Sequence, residues 1–270
     1  NKNIVKDFIA RGSVENLKTE ITKEVSLDKT KFSFFADSAD VLIKNFSGEY
    51  GSLKIKNGDV KIELKEKIYL TGSFESYVKL DKENILSFKD LIKNHSFSKN
   101  ISSFESNLKS NFVLNFDDTY KIKNYQFQSS GKILDATLNI NTPIISSFLE
   151  EKIDKLFFKN TEVQINLNPN KNTIDASGKY SFQENNHQNF TFKNNFKKDL
   201  FNLDINFDIK KALILNLINY KKPKDKTANL SINISKSKND LSINEINFKE
   251  DKNFIFIEGV KLKKNKFYSF

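Results

Sequence analysis

The chain has 270 residues, a net charge of +10 and 38% hydrophobic residues, a length that suits one large β domain or two ordinary ones. It contains no Cys, which excludes disulfides and thiolate metal sites. No run approaches the roughly 20 consecutive apolar residues of a membrane-spanning helix, and no secretory signal pattern is present in this stretch. The positive charge is nearly all lysine, with Arg11 the single arginine. Lysines are spread along the chain and alternate with apolar residues, as in Leu53-Lys54-Ile55-Lys56. That spacing describes solvated strand faces rather than one basic patch. The chain also lacks Met, even at position 1, which reads as a processed product or a piece of a longer chain.

In chain order, the recurrent signal is period-2 alternation. Two runs flank Asn57-Gly58, a strong hairpin signal, and beyond it Val60, Ile62 and Leu64 share a face opposite Lys61 and Glu63. Ile68-Leu70 and Phe74 to Leu80 follow. A short helix is expected over residues 84–93, where Ile85, Phe88, Leu91 and Ile92 have helical spacing. Phe112, Leu114 and Phe116 then alternate with Val113, Asn115 and Asp117, and Asp117-Asp118 opens a turn. Residues 142–157 form a second helix candidate, with Pro143 in its first turn. Val163, Ile165 and Leu167 lead into a turn at Asn168-Pro169-Asn170, followed by Ile174 to Phe182 and Phe190-Phe192.

Leu203, Ile205 and Phe207 alternate with Asp204, Asn206 and Asp208. Residues 212–219 are an ambiguous helical run. Leu230, Ile232 and Ile234, then Leu241-Ile243, Phe254-Phe256 and Leu262, carry the alternation to the end. About 15 strand candidates with little helix give an all-β class. The best seam is 142–159, a short helical connection between a first β segment (1–141) and a second (160–270).

Catalytic chemistry is missing from the pattern, so no enzyme is expected. His95 and His187 sit in polar, loop-like runs with no second ligand at metal spacing. The adjacent carboxylates Asp117-Asp118, Glu150-Glu151 and Glu250-Asp251 read as turn residues rather than a facing acid/base pair. No phosphate-cradle or nucleophile-elbow motif occurs. Nucleic acid is not expected either: the phenylalanines share the alternating face with Ile, Leu and Val, which is a burial pattern. No metal or cofactor is expected.

An apolar strand face must be covered by helices, a second sheet or a ligand. There is too little helix for the first. Strands of about 9 to 12 residues, at about 3.3 Å per residue, are long enough to curl into a trough suited to acyl chains. The candidate lining is Val60, Ile62 and Leu64; Phe112, Leu114 and Phe116; Val163, Ile165 and Leu167; Leu203, Ile205 and Phe207; and Leu230, Ile232 and Ile234. The alternative is a structural or adhesive β-sandwich or β-solenoid with a closed core, which produces the same alternation.

The segments GSVENL (12–17), DSADVLIKNFSG (37–48) and SLKIKNGDVKI (52–62) have a cadence of short polar strand, asparagine-apolar-x-glycine, strand, glycine-aspartate and strand. In this the chain resembles the AsmA-like envelope proteins, and most of all the central repeat region of their YhdP branch. YKIKNY (120–125) and SGKI (130–133) are similar in style. The likeness covers the first half in motif and the second only in pattern. It implies a long antiparallel, twisted sheet curled into an elongated groove, with a few short helices. It also implies a role: a segment of a periplasmic protein, anchored in the inner membrane by a part outside this chain, that carries phospholipids between inner and outer membranes. The implied ligand is a phospholipid acyl chain; the resemblance brings no catalytic residues.

Overall fold

The structure, a computed structural model, describes residues 7–22, 25–64, 67–81, 83–85, 100–144, 152–237, 240–263 and 266–269. Of the described residues, 80% are strand and 2% helix. Fifteen strands form one antiparallel sheet that does not close into a barrel. They are β1 (Ile9–Thr22), β2 (Val25–Asp37), β3 (Asp40–Tyr50), β4 (Leu53–Leu64), β5 (Ile68–Leu80), β6 (Ile101–Phe116), β7 (Ile122–Ile144), β8 (Ile153–Leu167), β9 (Asn172–Ser181), β10 (Gln188–Lys197), β11 (Leu200–Ile209), β14 (Ala228–Ser237), β15 (Asp240–Glu250), β16 (Asn253–Lys263) and β17 (Lys266–Ser269). Neighbours in the sheet are neighbours in the chain, except that β11 pairs directly with β14. The intervening chain makes a separate two-stranded hairpin, β12 (Leu213–Leu215) and β13 (Tyr220–Lys222), joined through a 3₁₀ turn (Asn216–Ile218). The chain divides into two compact units. Unit 1 holds residues 1–99, 103–132 and 165–169; unit 2 holds 100–102, 133–164 and 170–270.

In unit 1 the ladder lines apolar residues into rows across the strands. One row runs Gly12, Phe34, Ile43, Val60, Gly72, Phe112, and the next runs Ala10, Ala36, Val41, Ile62, Leu70, Leu114. Glycine is required in the first row by a close approach. A Cβ at Gly72 would stand 2.5 Å from the Phe112 ring, which lies over that position. A line of bulges crosses the same strands. Asn16, Lys29, Asn45 and Asn57, one each on β1 to β4, take φ between 52° and 56°, each at a break in register. Asn tolerates the left-handed region better than most residues, and a bulge bends its strand and increases its twist. The bulge at Asn45 is held by Asp59, whose carboxylate accepts from Asn45 N (3.3 Å) and Lys44 Nζ (2.8 Å).

Three expectations are corrected here. Asn57-Gly58 is not a hairpin turn: β4 runs through it, and Asn57 spends its positive φ on a bulge. The turn that follows β3 uses Gly51 instead (φ 56°). The helical connection at 142–159 is strand at both ends, since β7 reaches Ile144 and β8 begins at Ile153; residues 145–151 lie outside the described residues. Cross-strand packing overrides the helical spacing there, as the 5.3 Å contact between the Phe158 and Phe190 rings illustrates. Residues 212–219 hold β12 and the 3₁₀ turn that leads into β13, rather than a helix of several turns. The helix expected over 84–93 falls mostly outside the described residues. Asp117 does open a turn, accepting from Thr119 N, Thr119 Oγ1 and Lys121 N, and those bonds hold its carboxyl below the usual carboxylate range.

Candidate apolar groove

Unit 2 builds its apolar face from the same row logic. Reading across β9, β10, β11, β14, β15 and β16, one row is Gly178, Phe190, Phe207, Leu230, Phe248, Ile255. The next is Ala176, Phe192, Ile205, Ile232, Ile246, Ile257, and the third contains Ile174, Leu203, Ile234, Ile243 and Val260. The small residues Gly178 and Ala176 fall on β9, and large side chains fill the rows from β10 onward. Sheet curl brings the first two of these rows around one cavity of about 630 Å³, lined from β8 to β16. Among the described residues, the 17 that line it are all Ile, Leu, Phe or Tyr.

The cavity is more enclosed at one end. Ile153, Tyr180, Ile209, Ala228 and Phe248, which lie at or near matching ends of successive strands, are buried, whereas Ile257 is 41% exposed. The β12–β13 hairpin belongs to the enclosed end, for Leu213 and Leu215 line the cavity with the sheet residues. Tyr220 of the hairpin packs edge-on against Phe248 (5.9 Å) and donates its hydroxyl to Glu250 Oε2 (2.9 Å). Burial and that carboxylate push the Tyr220 hydroxyl up to about 12. Tyr180 stacks edge-on with Phe182, Phe190 and Phe207 and donates to the Asp208 carbonyl (2.5 Å); desolvation raises its pKa further still.

Lys222 ends the second strand of the hairpin. It is fully buried, and its ammonium donates to the carbonyls of Lys211, Pro223 (3.0 Å) and Lys226. Desolvation lowers its pKa, opposed by the charges of Glu250 and Asp225. Three fixed acceptors are what a buried ammonium needs, and they tie the two legs of the hairpin excursion together.

The opposite face is polar and internally bonded. Asn206 and Asn229 exchange side-chain amide bonds (3.2 and 2.8 Å), Asn229 also donates to Asp208 (3.1 Å), and Asn233 bonds both Asp204 and Asn244. The Asn and Asp residues that alternate with the apolar rows thus satisfy one another across the ladder.

Of the residues singled out by alternation, Ile205, Phe207 and Leu230 line the cavity. Ile232 stands in the same row as Ile205, and Leu203 and Ile234 one row farther along. Val163 is buried on β8. Ile165 and Leu167 belong to unit 1. Val60, Ile62, Phe112 and Leu114 share the unit 1 rows, Phe116 lies two positions beyond Leu114, and Leu64 is 41% exposed. Alternation alone missed Ile153, Leu156 and Phe158, which sat in the expected helical connection, and Leu213 and Leu215 in the ambiguous run. It also placed β16 out of phase: Ile255 and Ile257 line the cavity, while Phe254 and Phe256 are 75% and 50% exposed.

Among the described residues no group of His, Cys, Asp and Glu is arranged to hold a metal, and no helix is long and apolar enough to cross a membrane. His187 Nε2 is buried without a hydrogen-bond partner. Glu250 is occupied by Tyr220 and Asn253, and Asp251 pairs with Lys226 (2.8 Å). His95, Glu150 and Glu151 lie outside the described residues. Comparison with family models, curated proteins and solved structures finds no match for this chain.

Proposed function

We propose that the chain is a non-enzymatic segment of a lipid-transfer protein, and that its apolar groove holds phospholipid acyl chains in transit between two membranes. The single observation that carries the reading is the cavity of unit 2: about 630 Å³, bounded by 17 apolar or aromatic residues. Its size is that of a small-molecule site, but such sites carry a few polar groups to orient a polar ligand, and this lining has none beyond the Tyr180 hydroxyl, which is already bonded. A lining of this kind selects hydrocarbon. Each CH₂ moved from water to such a surface gains about 0.8 kcal/mol, so a chain of about 16 carbons gains on the order of 10 kcal/mol before ordering costs. The likeness to AsmA-like envelope proteins supplies the setting: the periplasm, an inner-membrane anchor in a part of the protein outside this chain, and traffic toward the outer membrane.

The test is binding of a polarity-sensitive fluorescent fatty acid to the full chain. Saturable binding with a blue-shifted emission is expected. Phe207→Asp, which puts a carboxylate in the middle of the lining, weakens it by tenfold or more, because an unpaired charge there must be desolvated. Absence of binding in the unsubstituted chain is the behaviour of a closed structural or adhesive sheet and contradicts the proposal.

A further inference from the structure

A second, smaller pocket of about 180 Å³ opens beside the enclosed end of the groove. Phe182 lines both, so the two spaces share a wall. Among the described residues, the smaller one is lined by Lys210, Lys211 and Lys224 together with Gln183, Asn186 and Gln188, and by no Asp or Glu. Its lysines come from the two roots of the β12–β13 excursion: Lys210 and Lys211 precede Leu213, and Lys224 follows Lys222. Those roots are held together by the buried Lys222, which bonds the Lys211 carbonyl on one leg and the Pro223 and Lys226 carbonyls on the other. The cradle is also braced from the sheet, since Gln188 Oε1 accepts from Lys210 N (3.1 Å). Lys211 Nζ lies 5.9 Å from the Phe182 ring centroid, at the boundary between the two spaces.

From this juxtaposition we infer that the lysine pocket is a head-group site, which takes the phosphate of a glycerophospholipid whose acyl chains lie in the adjoining groove. The inference rests on the acyl-chain reading of the groove and adds the chemistry of the other end of the ligand. An apolar trough beside a pocket lined by three lysines and three amide residues is complementary to an amphiphile with an anionic head. Ammonium groups serve phosphate as compact point charges. The Lys222 clamp holds together the two backbone legs that carry them.

The experiment uses the full chain and two monomeric probes with the same acyl chains, dioctanoyl phosphatidate and dioctanoylglycerol, each competing with a fluorescent fatty acid. The unsubstituted chain is expected to bind the phosphatidate about tenfold more tightly. Lys210→Gln, Lys211→Gln and Lys224→Gln combined remove that preference and leave the affinity for dioctanoylglycerol unchanged. The corresponding triple Arg variant keeps the preference. So does a charge-matched control with Lys54, Lys67 and Lys123 changed to Gln, which separates the pocket from the net charge of the chain. Inorganic phosphate alone is expected not to displace the phosphatidate. Equal binding of both probes by the unsubstituted chain overturns the head-group site and leaves the groove standing, as does a preference that survives the triple Gln change. Displacement by inorganic phosphate makes the pocket a free-anion site and overturns the assignment to lipid. If neither probe binds, the groove reading falls and the head-group site with it.

Discussion

Lys222 is the one lysine among the largest fully buried side chains. Its ammonium is fully enclosed and bonded to three carbonyls, so it acts as a structural clamp. Lys222→Met removes the desolvation cost but leaves those carbonyls without their donor. A loss of about 1–3 kcal/mol is expected, read as a lower urea midpoint, with faster amide exchange concentrated in residues 211–226. His187 sets a pH dependence. Burial lowers its pKa below 6.5, with the Lys159 charge acting in the same direction, so the unfolded chain takes up a proton at a higher pH than the folded one. The stability from this residue is therefore complete above pH 6.5 and is lost as the pH falls through the lowered value. His187→Gln is expected to flatten that part of a urea-midpoint profile between about pH 7.5 and 5.

At the scale of elements, β11, β14 and β15 share one device: apolar rows on one face and a bonded Asn/Asp ladder on the other. Asn233 is central to the ladder, bridging Asp204 on one neighbour and Asn244 on the other. Asn233→Ala is expected to cost about 1–2 kcal/mol by thermal or urea unfolding, since it removes two side-chain bonds. In unit 1 the Gly72–Phe112 contact is the sensitive point. Gly72→Val drives side-chain atoms into a ring that a Cβ alone would approach to 2.5 Å, and a loss of about 1–3 kcal/mol follows from overpacking.

Much of this scale was legible in the sequence, because alternation with period 2 is a direct image of the strand. Leu203-Ile205-Phe207 and Leu230-Ile232-Ile234 were readable as one face for that reason, and three of those six line the cavity. The bulges were not, because Asn57-Gly58 has the same local signature whether the positive φ serves a turn or a bulge; only the partner strands decide. The phase of β16 was hidden by four consecutive apolar residues, Phe254 to Ile257, which fit either face. The hairpin was hidden because three-residue strands carry too few positions to show a period, and its leucines line the cavity only once the sheet has formed.

At the scale of the molecule, the sheet's strand order follows the chain so closely that each strand needs only its sequence neighbours, and the one departure, the β12–β13 excursion, coincides with the enclosed end of the groove. The central claim is that the groove of unit 2 is occupied by lipid rather than by the protein's own side chains. Native mass spectrometry of the full chain after incubation with phospholipid vesicles and their removal tests this directly. The account predicts the mass of the chain increased by an intact phospholipid, and loss of the added mass in Phe207→Asp. A spectrum containing only the bare chain, or a lipid adduct indifferent to Phe207→Asp, contradicts it.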